Sequence, residues 1–127
     1  MLRPLLFLTA LTVSLPTLTT AETTLLMAEE RGCYWCAKWT EEVGPIYPKT
    51  ALGQTAPLVR YDRHDDAPDV KLATAVRFTP TFILAKDGNE VGRIEGYPGE
   101  DFFWGLLKTL FARADITIDE TGTTNDS

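Results

Sequence analysis

The chain has 127 residues, two cysteines, one histidine and a formal net charge of -6. That length holds one domain at most, since single domains commonly run to about 100–150 residues. The 44% hydrophobic and 24% charged content is that of a soluble globular protein and excludes wholesale disorder. Twelve Lys+Arg against 18 Asp+Glu argue against nucleic acid or anionic lipid as the main partner. Two cysteines with one histidine are too few for a Cys/His structural zinc site and cannot build a disulfide-rich framework.

Arg3 supplies a small positive n-region, Leu5 to Leu15 is apolar, and Thr19-Thr20-Ala21 is a small-residue cleavage site. Residues 1–21 therefore read as a secretory signal peptide. A membrane anchor is the alternative, but Thr9, Thr12, Ser14 and Pro16 interrupt the run. It also falls short of the ~20 apolar residues that a spanning helix needs, so stable membrane insertion is not expected. Cleavage after Ala21 leaves Glu22 to Ser127 with 11 basic and 18 acidic residues, a charge of -7. The product is expected in an exported, oxidising compartment where disulfides persist, which in a Gram-negative bacterium is the periplasm.

Leu25 to Ala28 reads as a buried strand, broken by Glu29-Glu30-Arg31-Gly32, and a helix follows from about Tyr34 to Val43. Gly44-Pro45 ends or kinks it, because proline removes a donor and clashes with the preceding turn. A second helical piece spans Ile46 to Leu52, and Leu58 to Tyr61 is the next strand, closed by the polar run Asp62 to Asp66. Pro68 and Asp69 open a predicted helix through Val76, proline suiting a first helical turn. Thr81 to Ala85 is rich in β-branched and aromatic residues, as strands are. Asp87-Gly88 between it and the return strand Glu90 to Glu95 is a hairpin signal. Glu100 and Asp101 favour a helix start, and Phe103, Leu106, Leu107, Leu110 and Phe111 recur at helical spacing. From Asp115 the chain is Thr-rich and acidic and is predicted to be a disordered tail, residues 115–127.

The predicted order is β-α-β-α-β-β-α, an α/β fold with a four-stranded mixed sheet flanked by helices. The parallel first pair comes from the crossover and the antiparallel pair from the hairpin. The predicted domain spans residues 22–114, and no internal repeat is visible.

Cys33-Tyr34-Trp35-Cys36 carries the chemistry. A C-x-x-C after a predicted strand, opening a helix, puts the first sulfur where unpaired N–H groups and the helix dipole stabilise a thiolate. The second sulfur lies one helical turn on, close enough to close a Cys33-Cys36 disulfide. Cys33 is the expected nucleophile, attacking a partner disulfide, and Cys36 the resolving thiol that releases the partner. A purely structural disulfide is the bland alternative, though so short a loop removes little chain entropy. A c-type haem site is closed, since Ala37 stands where histidine would be needed. A two-thiolate Cu(I) site, as in a copper chaperone, stays open because soft thiolates select Cu(I), and so does a redox-sensing regulatory protein.

Phe78-Thr79-Pro80-Thr81 places a proline directly before the most apolar strand. The cysteine motif at a strand-to-helix junction, Thr79-Pro80-Thr81, the Asp87-Gly88 hairpin and the final amphipathic helix together resemble the thioredoxin family, over about Leu25 to Ala114. The resemblance implies that Pro80 is cis and faces the cysteine pair, and that Thr79 offers backbone groups to an extended substrate segment. It also implies that electrons pass through the cysteines, so that no metal or organic cofactor is required.

Three departures stand out. Only eleven residues lie between the expected cleavage site and Cys33, where thioredoxin itself has an extra strand and helix. Thioredoxin has a buried acid six residues before its first cysteine, where this chain has Met27, and the acid's partner lysine aligns near Leu58. Proton transfer to and from Cys36 then falls to water or to Glu29, Glu30 or Glu41. Tyr34-Trp35 between the cysteines matches neither thioredoxin nor the strong periplasmic oxidants.

Gly32 to Cys36, Gly44-Pro45-Ile46-Tyr47-Pro48 and the run Gly92 to Trp104 resemble the small periplasmic thioredoxins of bacterial sulfur-oxidation (Sox) systems. That resemblance implies a reductase acting on a cysteine of the sulfur-carrier protein, recharged by a membrane-bound electron donor. An oxidising compartment by itself would equally suit a dithiol oxidase.

Around Cys33, the side chains of Tyr34, Trp35, Trp39 and Tyr97 are candidates for an apolar docking rim, with core packing the alternative, favoured for Trp39, and partial exposure favoured for Trp35. Phe102, Phe103 and Trp104 are expected to serve core or helix packing, and His64 to be a solvated surface residue. Arg31 favours a Cys33 thiolate, and Glu29 and Glu30 oppose it.

Overall fold

A computed structural model of the chain describes residues 13–16, 22–118 and 120. Apart from residues 13–16, the expected leader lies outside them, as do residues 119 and 121–127 of the expected tail. The elements are strand β1 (Thr23–Glu29), helix α1 (Tyr34–Glu42), a 3-10 turn (Tyr47–Lys49), helix α2 (Ala51–Thr55), strands β2 (Leu58–Asp62), β3 (Thr81–Lys86) and β4 (Asn89–Glu95), and helix α3 (Glu100–Arg113). The sheet order is β2-β1-β3-β4. β1 pairs with β2 in parallel, Met27 lying opposite Arg60, and with β3 in antiparallel, Ala28 opposite Thr81.

Alternation along β1 and β3 sorts side chains to the two faces of the sheet. Leu25, Met27, Phe82 and Leu84 join Trp39, Phe103, Leu107 and Phe111 from the helices in one core. Leu26, Ile83 and Ala85 face the other way, covered by Val59, Tyr61, Ala67, Val70, Leu72 and Val76. Because β1 and β3 are apolar on both faces, they occupy the middle of the sheet. The hairpin turn has positive φ at both Asp87 (51°) and Gly88 (77°), the type I′ geometry that matches strand twist.

The helix predicted over Pro68 to Val76 does not form; the second helix lies before β2 instead. Asp69 has a left-handed backbone, φ 54°. Lys71 bridges to Asn89, with its N–H on the Gly88 carbonyl (2.8 Å) and its carbonyl taking the Glu90 N–H (3.1 Å). The Ala73 N–H donates to Glu90 Oε2 (2.6 Å), and Arg93 Nη2 donates to the Thr74 carbonyl (2.8 Å). Backbone groups of Lys71, Ala73 and Thr74 that a helix would satisfy internally are met instead by Gly88 in the hairpin turn and by Glu90 and Arg93 of β4. This irregular segment covers the second face of the sheet and delivers the chain to Thr79.

Two further expectations change. Three consecutive residues on one helix cannot all face the core: Phe103 is buried, Trp104 is half-buried and Phe102 is exposed, as is Leu106. The disordered tail predicted from Asp115 is corrected over its first residues, because Ile116 and Ile118 pack against the core and the Ile116 N–H bonds the Phe111 carbonyl at 3.0 Å.

Candidate active site

Gly32 has φ +78°, a left-handed turn that glycine adopts without a Cβ clash, and it swings the chain from β1 into α1. The Cys33 N–H donates back to the Glu30 carbonyl at 3.2 Å, closing the turn. Cys33 is the N-cap of α1, with its Sγ accepting from the Cys36 N–H at 3.1 Å. A sulfur there receives one of the free N–H groups that every helix start presents. Cys33 and Cys36 form a disulfide with a Cα–Cα separation of 5.3 Å, inside the usual range for such bonds. Cys33 is half-buried and Cys36 buried, so the first cysteine is the more accessible of the two.

The peptide bond between Thr79 and Pro80 is cis. Pro80 is buried at the entry to β3, and its carbonyl takes the Gly96 N–H at 2.7 Å. Thr79 Oγ1 donates to Glu30 Oε1 at 3.0 Å. Glu30 thus contacts both the cysteine turn and the cis-proline loop. Tyr34 and Trp35 are 67% and 53% exposed, and Phe78, two residues before Pro80, is 57% exposed. Tyr34 and Trp35 meet edge to face, their centroids 5.0 Å apart.

Beside the disulfide lies an open cleft of about 730 Å³, lined among others by Cys33, Cys36, Glu29, Glu41 and Arg60. Arg60 donates to Glu29 Oε2 at 2.6 Å and to Thr40 Oγ1 at 2.8 Å, and Thr40 Oγ1 donates to the Cys36 carbonyl at 2.8 Å. On the opposite side of Glu30, Arg63 Nε donates to Oε2 at 2.8 Å. Arg63 first, and the Thr79 hydroxyl second, hold the Glu30 carboxyl below its ordinary value.

A family model described as a thioredoxin-like domain matches residues 17–111. The chain belongs to the thioredoxin-like family. The periplasmic thioredoxin SoxS from Paracoccus pantotrophus, solved in its reduced form, is 49% identical to it. That match covers 73% of this chain and 99% of the other, with a TM-score of 0.71. Malassezia sympodialis thioredoxin Mala s 13 is 16% identical over 69% of this chain and 74% of its own, with a TM-score of 0.51; this likeness shows the fold alone. No curated protein matches the chain.

With a C-x-x-C disulfide in this fold, the thioredoxin-like chain is a thiol-disulfide oxidoreductase. Where thioredoxin itself has its buried acid, Met27 is wholly buried in the core. The residue opposite Met27 on β2 is Arg60, and Leu58 pairs with Leu25. Of the acids considered for proton transfer, Glu29 is held by Arg60 and Glu30 by Arg63 and Thr79, whereas Glu41 is exposed.

Trp39 is buried among Tyr47, Phe82 and Phe103, as its place one turn into the helix implies. Tyr97, a candidate for the docking rim, is buried instead and joins that core. His64 is exposed, with Nδ1 2.8 Å from Asp62 Oδ1. Thr40, Arg60 and Arg63 were missed in the sequence. Arg60 carried a usable signal, since it shares a strand face with Leu58 under period-two alternation.

Proposed function

We propose that this chain is a periplasmic reductase for a protein disulfide or modified cysteine. Its likeness to the periplasmic thioredoxin SoxS at 49% identity supports the compartment, and the sulfur-carrier protein of a sulfur-oxidation system is the partner we propose. The observation that carries the reading is the pairing of an accessible Cys33, bonded to a buried Cys36, with a cis Thr79-Pro80 peptide tied to the same turn through Glu30.

In the reduced protein, the Cys33 thiolate attacks one sulfur of the partner disulfide, and the other partner sulfur leaves as a thiolate. Cys36, deprotonated, then attacks Cys33 Sγ and expels the second partner sulfur. The Cys33-Cys36 disulfide forms, and two electrons have passed to the partner. A membrane-bound donor then supplies two electrons that reduce the Cys33-Cys36 disulfide back to the dithiol. Tyr34, Trp35, Thr79 and Pro80 frame the groove in which an extended partner segment lies.

Cys36→Ser tests the scheme, because it blocks the second attack. The variant, incubated with periplasmic extract, is expected to accumulate a thiol-sensitive adduct joining Cys33 to one cysteine of a partner, mapped by mass spectrometry. A Cys36→Ser protein that forms no such adduct, while the wild type reduces no disulfide, overturns the reading.

A further inference from the structure

We propose that Glu30 is a positioning residue that fixes the cysteine turn and the cis-proline loop relative to one another, with Thr79 and Arg63 as its two anchors. The inference rests on the proposed reading that Thr79 and Pro80 shape the groove for a partner segment. It goes beyond that reading in assigning the residue that sets the groove against Cys33.

Three hydrogen bonds converge on Glu30, and His64 Nε2 stands 3.8 Å from the oxygen that Arg63 holds. Its backbone carbonyl accepts the Cys33 N–H at 3.2 Å, one carboxylate oxygen accepts the Thr79 hydroxyl at 3.0 Å, and the other accepts Arg63 Nε at 2.8 Å. Thr79 lies 49 residues away in sequence, and Arg63 belongs to the turn after β2. Arg63 is itself pinned, its own N–H donating to the Glu29 carbonyl at 2.8 Å. One side chain therefore links the end of β1, the turn after β2 and the loop before β3.

The arrangement matters because the two halves of the site are otherwise carried by different elements. β1 delivers the cysteines, while the irregular segment ahead of β3, which forms no helix, delivers Thr79 and Pro80. A partner disulfide meets Cys33 in line only if the segment flanking it is held at a set distance from the sulfur, and small misplacements cost large factors in rate. With its hydroxyl held by Glu30, Thr79 has its side chain turned to the β1 end, and its backbone groups are left to the partner. Arg63 also balances the Glu30 charge, which unpaired would oppose a thiolate at Cys33.

The test compares a protein disulfide with a small one. Reduced wild type, Glu30→Ala, Glu30→Gln, Thr79→Val and Thr79→Ser are assayed against insulin and against 5,5′-dithiobis(2-nitrobenzoate), which needs no groove. Glu30→Ala and Thr79→Val are each expected to raise KM for insulin about tenfold, with the small-disulfide rate of Glu30→Ala within about twofold of wild type. Thr79→Ser keeps the hydroxyl donor and is expected to retain the wild-type KM, whereas Glu30→Gln keeps one acceptor oxygen of two and is expected to fall between wild type and Glu30→Ala. The double variant Glu30→Ala/Thr79→Val should cost no more than the worse single one, as for two members of one contact.

An insulin KM that stays within about twofold of wild type in both single variants overturns the positioning role alone. So does a parallel loss on both substrates, or an additive double variant. If Glu30→Ala does not fold, Thr79→Val decides the matter by the same criteria, with Thr79→Ser as its conservative control. A wild type that turns over the small disulfide but not insulin overturns the proposed function, and this inference with it.

Discussion

The Tyr97 hydroxyl donates to Glu42 Oε2 at 2.5 Å, joining the end of α1 to the segment that leads into α3, 55 residues on. Lys38 holds the other oxygen of the same carboxylate at 3.0 Å. The contact closes the helical face of the sheet beside Phe103, with which Tyr97 also stacks edge to face.

That relationship makes stability depend on acid. The Tyr97 hydroxyl first, and Lys38 second, hold the Glu42 carboxyl below its ordinary value of 4.5. A group whose folded pKa is depressed stabilises the fold above its unfolded value, and the contribution is lost as pH falls through the folded one. Glu30 and Asp62 are shifted the same way, Glu30 chiefly by Arg63 and Asp62 chiefly by the His64 backbone N–H. The urea midpoint is expected to be flat from neutral pH down to about 5 and then to fall with acidification. Glu42→Gln should fall less steeply below that point. An equal acid slope in the variant would count against the contact.

At Cys33 the helix start predicts an acidified thiol. In the reduced protein, alkylation by iodoacetamide followed against pH should report an apparent pKa below the ~8.5 of a free cysteine. Mass mapping should place the modification on Cys33, since Cys36 is only 5% exposed. Labelling that rises only above pH 8, or that falls first on Cys36, would refute the assignment of Cys33 as the nucleophile.

Arg93 is the device that holds the segment leading to the groove. It pairs with Glu90 and donates to the Thr74 carbonyl at 2.8 Å, while Glu90 Oε2 takes the Ala73 N–H at 2.6 Å. Arg93→Ala removes the donor and leaves Glu90 without its cation in a nearly closed position. Amide exchange over residues 71–79 should quicken by at least about tenfold, while exchange in β1 and β3 changes little. Uniform quickening across the sheet would instead mean global destabilisation.

The strands, α1, α3 and the hairpin were legible because each is written in adjacent residues. The β-branched run Thr81 to Ala85 and the Asp87-Gly88 turn sit where they were expected. The segment from Pro68 to Val76 was misread because its backbone partners are Lys71 with Gly88 and Glu90, and Ala73 with Glu90. Those contacts exist only after β4 has folded beside it. Between rim and core, Tyr97 was undecided for the same reason: its acceptor is Glu42, 55 residues earlier.

By itself the sequence determined the chemistry, since a C-x-x-C at the start of a helix places two sulfurs one turn apart through local geometry alone. It also determined which strands are central, because β1 and β3 are apolar on both faces. Only the tertiary structure decided what surrounds the sulfurs. Strand register sets Arg60 opposite Met27 and against Glu29 and Thr40, while Arg63 and Thr79 meet at Glu30. Glu30 could be ranked among the acids near Cys33 only once Thr79 and Arg63 were seen to hold it, because hydrogen bonds across 49 and 33 residues leave no trace in local spacing.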